Sequence, residues 1–291
     1  MRARAPRSLL TAVAATALAA GLACCSPAPA DTGATDPATS DVLPTDHVHG
    51  LAYDPDGSGA LLVATHHGLV DVDTDGTATE IGPVIDLMGF AVTESGHYLA
   101  SGHPGLRVDL PNPVGLISST DAGRTWTPLS RAGESDFHAL AALPDGGVLG
   151  YDGTLRRSAD GHTWEDLTIP AEPHTLAAAP DGATVLATTA QGLLRSTDAG
   201  GSWTPVPGAP VLQVITWAED GTTAVGVDPA GAVWTSTDAA ATWQQTADLA
   251  STPHAVAATT AGGPLKIAVV TDEGLTQSVD GGQTFTLLLE Y

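Results

Sequence analysis

Cysteine is nearly absent from this 291-residue chain: there are two, Cys24 and Cys25, side by side near the N-terminus. Everything after them therefore lacks disulfides and thiolate ligands, which excludes covalent staples and thiolate-bound metal centres. Basic residues are scarce as well, ten Lys and Arg against 33 Asp and Glu. Three of the ten, Arg2, Arg4 and Arg7, precede the first acidic residue, Asp31, so the remainder is more acidic still. A surface of that sign repels nucleic acid and anionic membrane. It suits cation binding, or plain solubility in a salty exterior. Aromatic residues make up only 4% of the chain, whereas Gly and Pro are plentiful at 33 and 21. That balance favours many short elements joined by turns. With 43% apolar residues there is ample material for a buried core.

The one pronounced apolar run is "TAVAATALAAGLA" at 11–23, behind the basic "MRARAPRSLL". It is too short to span a bilayer and has the order of an export signal, basic start, apolar middle and small residues at the exit. Both cysteines fall at that exit. The arrangement resembles a bacterial lipoprotein signal over 1–24, in which a cysteine becomes the lipidated first residue. Cys24 has Ala23 before it and is preferred over Cys25, while cleavage after Ala30 is the alternative. The protein is accordingly expected outside the cytoplasm, either held at the membrane by a lipid anchor alone or secreted. Residues 25–45, rich in Pro, Ala, Thr and Asp, read as a flexible tether.

Beyond the tether the chain is dominated by repetition. "STDAGRTW" (119–126), "SADGHTW" (158–164), "STDAGGSW" (196–203), "STDAAATW" (236–243) and "SVDGGQTF" (278–285) are versions of one motif. Their aspartates, Asp121, Asp160, Asp198, Asp238 and Asp280, stand 38 to 42 residues apart. This resembles the Asp-box, or BNR, repeat of sialidase-like β-propellers. A carboxylate in a tight turn accepts backbone N–H groups, so the five aspartates are expected to be structural. Their aromatic partners, Trp126, Trp164, Trp203, Trp243 and Phe285, are expected to wedge between sheets. A sixth unit precedes them, with a worn turn at "DVDTDG" (71–76). Six units of four antiparallel strands predict an all-β, six-bladed propeller over 46–291, monomeric, with each blade built from consecutive strands.

In register, the blades begin "HVHGLA", "DLMGFA", "DFHALA", "EPHTLA", "VLQVIT" and "TPHAVA". Each of these is expected to be the innermost strand of its blade. The third position reads His49, Met88, His138, His174, Gln213, His254; the first reads His47, Asp86, Asp136, Glu172, Val211, Thr252. Strand periodicity puts both positions on one side, which predicts an imidazole-rich ring beneath an acidic one at one channel mouth. Neutral imidazoles favour transition metals, and a nearby thioether leans toward copper; calcium fits poorly. The expected ligands of copper or zinc are His49, His138, His174 and His254, with Met88 auxiliary and His47, Asp86 and Asp136 in support. Loops after the second strands should return to the same mouth, adding His66, His67 and His103 along with Asp152, Asp228 and Asp272. Histidines that are merely solvated, or that act as acid and base without metal, are the competing readings.

From residue 47 on, "HGL" (49–51), "HHGL" (66–69), "DLMGF" (86–90), "SGHP" (101–104), "NPVGLISSTDAGRTW" (112–126) and "SDFH" (135–138) resemble exported bacterial propellers labelled glycosyl hydrolases. The resemblance implies the fold. For hydrolysis of a glycan it implies an acidic pair, for which Asp86 and Asp136 are the candidates. A true sialidase would need three arginines gripping a carboxylate and a Tyr–Glu pair, and neither pattern appears. A scaffold that binds another exported protein through the acidic face is a third class.

Overall fold

The computed structural model describes residues 39–40, 42–43, 47–93 and 96–291, which belong to one compact unit. The export signal, both cysteines and most of the tether lie outside the described residues. Six antiparallel sheets of four consecutive strands stand in a ring, the six-bladed β-propeller that the repeat spacing predicts. The innermost strands are Val48–Tyr53, Ile85–Val92, Ala139–Ala142, Pro173–Ala178, Val214–Trp217 and Pro253–Thr259. Each packs against the innermost strands of the blades on either side, and the last closes onto the first.

Burial follows from this stacking. The second strand of a blade has a neighbouring sheet on both faces, so it reads as a continuous apolar run rather than an alternating one. Leu61–Thr65, Val185–Thr189 and Ala224–Val227 are buried at every position. The core is six clusters, one at each junction between blades; the seam between the last blade and the first buries Val63, Val70, Val270, Leu275 and Leu289. Phe137 stacks on Trp164 at the junction of the second and third blades, with ring centroids 4.9 Å apart.

The repeated motif does the turn work expected of it. In the fourth blade Ser196 Oγ donates to Asp198 Oδ1 at 2.7 Å and accepts from the Gly200 N–H at 2.8 Å, while Asp198 also accepts from Ser202 N–H and Oγ. The same pattern surrounds Asp121, Asp238 and Asp280; around Asp160, where the turn is one residue shorter, the carboxylate accepts from the His162 N–H and from Thr163 N–H and Oγ. Trp126, Trp164, Trp203, Trp243 and Phe285 each pack against the cluster shared with the preceding blade. In the fifth blade Ala240 stands where glycine is usual and adopts the left-handed conformation regardless, at φ +60°.

The closure departs from the sequence expectation. Thr39–Ser40, inside the stretch read as tether, forms a fifth strand on the outer edge of the first blade. Val42 bridges Glu290 in parallel, and Leu43 is buried in the seam cluster. Pairing at the outer edge of the first blade thus extends back to Thr39.

Candidate metal centre

The innermost strands surround a channel of about 600 Å³ that His49, His138, His174 and His254 all line. How they enter it was not visible in a two-residue period. In four blades the pairing of the first strand with the second slips by one residue at this point, between Val48 and Gly50, Leu87 and Gly89, Pro173 and Thr175, and Pro253 and Ala255. The extra residue is His49, Met88, His174 or His254. In the other two blades the backbone N–H groups of His138 and Gln213 donate to the carbonyls of Tyr151 and Val227, the residues that also pair with the next position. Four of the ring residues thus occupy the same β-bulge, a device that re-aims a single side chain out of the ladder, and His138 and Gln213 stand at the corresponding position just ahead of their strands.

The bulge corrects the picture of two stacked rings. An extra residue breaks the alternation that would have kept the acidic position above the imidazole position. Instead the blades interlock. His66, in the turn after the second strand of the first blade, puts Nε2 3.3 Å from His49 Nε2 and Nδ1 2.8 Å from Asp86 Oδ1. His47 lies edge-on to the same ring, centroids 5.0 Å apart. His49, His66 and Asp86 are the one triple among the described residues whose ligand atoms lie within 4.8 Å of one another. The four ring histidines do not meet as one ligand set.

The remaining candidates disperse. His103 Nε2 and His138 Nε2 both reach Asp136 Oδ2, at 3.1 and 2.8 Å. His254 Nε2 faces Asp272 Oδ1 at 2.8 Å. His174 is exposed in the channel, Met88 is half-buried, and His67 is exposed in its turn; none of the three joins the triple. Asn112, which sequence reasoning passed over, puts Oδ1 2.7 Å from His103 Nδ1. It stands in the long connection, 105–115, between Tyr98–Pro104 and Leu116–Ser119 of the second blade.

The electrostatics separate these groups. An ionised Asp86 can only accept, so His66 Nδ1 carries the proton and a neutral ring leaves Nε2 as a bare acceptor aimed at His49. Burial, and then the nearness of His66, pull the pKa of His49 down to about 4. His49 is therefore a neutral imidazole well below neutral pH. Its neighbour across the channel differs: the hydrogen bond to Asp136 raises the pKa of His138. Burial pushes the Asp136 carboxyl up, but the hydrogen bonds and charges of His138 and His103 outweigh it and hold the group below the usual range.

Two imidazole nitrogens, each about 2.0–2.1 Å from a tetrahedral ion, stand about 3.3–3.4 Å apart. The His49–His66 separation is of that size. Asp86 sits where a carboxylate orients a ligating histidine by taking its other N–H.

No protein-family model and no curated protein matches the chain. Solved structures do. It is similar to a gluconolactonase from Xanthomonas campestris, with 14% identity and a TM-score of 0.63 over 80% of this chain and 86% of that one. It is also similar to a GH74 xyloglucanase from the same organism, at 20% identity and a TM-score of 0.53, covering 86% of this chain and 46% of the other. An ancestral GH74 enzyme matches at 14% identity and a TM-score of 0.54, over 82% and 37% of the two chains. At such identities the likeness shows the shared fold alone. The chain spans less than half the length of either GH74 enzyme.

Proposed function

We propose that this protein binds a transition metal, zinc or copper, at the mouth of the propeller channel, with His49 and His66 as ligands and Asp86 as the group that orients His66. One observation carries the reading: two imidazole Nε2 atoms converge at 3.3 Å while a carboxylate fixes the proton of one ring on its far nitrogen. A low pKa at His49 supports it, since a metal ligand must be unprotonated. His47, edge-on to His66 with ring centroids 5.0 Å apart, is a further candidate donor. The donor set is nitrogen-rich, which favours zinc or copper over calcium or magnesium.

A glycosidase built on Asp86 and Asp136 fits less well. Its general acid needs a raised pKa, whereas imidazoles hold Asp136 low and engage Asp86. The acidic surface and the export signal read from the sequence agree with a cation-handling role outside the cytoplasm, with a lipid anchor at Cys24 as the proposed attachment.

Titration of the metal-free protein with Zn²⁺, followed by calorimetry and metal analysis, tests the assignment. His49→Ala is expected to lose one bound equivalent while the circular dichroism spectrum is unchanged. Equal stoichiometry and affinity in the variant and the parent would overturn it.

A further inference from the structure

The channel below the histidine mouth changes character along its length. Three or four residues past the ring position on each innermost strand, roughly 10 Å deeper, Ala52, Ala91, Ala142, Ala178 and Ala258 line the bore, with Thr216 in the fifth blade. Each is only partly buried, so these small side chains are open to the channel. Beyond the ends of the strands come Asp54 and Glu219. They are the only carboxylates lining the channel among the described residues, and no Lys or Arg lines it. A bore with imidazoles at one end, methyl groups in the middle and acids at the other suits an amphipathic ligand, and about 600 Å³ is room for one.

The two ends differ in how their charges are met. At the histidine mouth Asp86 is engaged by His66, Asp136 by His103 and His138, and Asp272 by His254. At the far end the partners are neutral. Asp54 accepts from the Tyr98 hydroxyl and the Asp56 N–H, and Glu219 from the Thr259 hydroxyl and the Thr260 N–H. An anionic head group is therefore repelled from the far end. His174 marks the near end. His49, His138 and His254 face His66, Asp136 and Asp272, whereas His174 has no partner among the described residues. Desolvation by the surrounding walls alone lowers its pKa. It is a neutral imidazole on the fourth blade, three blades from His49, with an N–H to give.

We propose that the channel binds a small carboxylic acid with an unbranched apolar body, its carboxylate at the histidine mouth and its chain against the alanine ring. The inference rests on the metal reading of that mouth, since the ion supplies the charge that holds the head group. His174 donates to the carboxylate from the opposite wall. The body is short. It has only to reach the alanines, and the inner edges of the strands, which have no ladder partner, keep their water.

Calorimetry of the full protein loaded with Zn²⁺ and titrated with acetate, butyrate and octanoate tests this, with bound zinc counted in every sample. Octanoate is expected to bind about tenfold or more tighter than butyrate, and acetate most weakly. Ala52→Asp puts a like charge on the bore wall and should abolish that gain while zinc stays bound. Ala52 packs in none of the core clusters; Thr216→Asp asks the same question should the first variant not fold. His174→Ala should weaken all three acids alike, about tenfold. Zinc bound with equal affinities for butyrate and octanoate, or an octanoate affinity indifferent to both aspartates, would overturn the inference and leave the metal site standing. With no zinc bound the metal reading fails instead. Chain-length-dependent binding abolished by Ala52→Asp would then keep the channel site, and no binding at all would remove both.

Discussion

The lowered pKa of His49 gives a measurement that needs no metal. Free imidazole titrates near 6.5, and here burial first and the His66 ring second bring His49 to about 4. Asp86 opposes them, while His47 and His138 add to the lowering. A proton is therefore held about 300-fold more weakly than in the unfolded chain. At pH 5.5 an ordinary imidazole is about nine-tenths protonated and His49 only about 3%. The unfolded chain takes up this proton below pH 6.5 and the folded chain does not until about 4. This group thus lowers stability as pH falls from 6.5 to 4, and has no effect on the pH dependence above that window. Carbon–proton correlated NMR of the imidazoles, from pH 8 to 3.5 on metal-free protein, reads the midpoint, with His49→Gln to assign the signal. His66→Ala should move the midpoint back toward 6.5, because it removes one cause and opens the other to water. A His49 midpoint at or above 6 in the parent would refute the reasoning and, with it, the claim that the ring waits unprotonated for a ligand.

The same geometry sets other outcomes. Asp86→Asn should weaken Zn²⁺ binding at the His49–His66 site about 10- to 100-fold without unfolding the protein, read by calorimetry; no change would remove Asp86 from its orienting role. Phe137→Ala, at a fully buried position stacked on Trp164, should cost about 3–5 kcal/mol in urea unfolding. Ala240→Gly should raise stability by up to about 1 kcal/mol, since Ala240 is held at φ +60°; destabilisation would show that its methyl packing outweighs the strain. Hydroxyl and N–H donors hold Asp121, Asp160, Asp198 and Asp238 at about 2. Their contribution to stability is complete above the unfolded value of 3.8 and is lost as pH falls toward 2. A denaturation midpoint that stays flat between pH 4 and pH 2 would contradict this.

The fold was legible because its determinants are local and repeated. Each Ser-x-Asp turn closes on itself through contacts no more than four residues apart, so five copies announce five blades without any knowledge of the tertiary structure. The column of His49, Met88, His138, His174, Gln213 and His254 was legible for the same reason. Its consequence was not. Strand alternation assumes a regular ladder, and the bulge at this very position breaks it. His66 and Asp86 are 20 residues apart and on different blades, and only the loop geometry brings them to 2.8 Å. Thr39–Ser40 was hidden by composition: Pro and Ala around it look like tether, and its pairing with Ala78 and Thr79 depends on where the ring closes.

The shared bulge has a consequence for engineering. A residue that stands outside the ladder owes nothing to the cross-strand pairs on either side, so its identity can change while the sheet does not. Nature has already run part of that experiment within one chain: histidine and methionine occupy the same backbone socket. The channel mouth is thus a six-position turret whose chemistry is written one letter per blade. Replacing Met88 with histidine would add a nitrogen donor to the mouth, and replacing the histidines with carboxylates would retune it from nitrogen to oxygen donors.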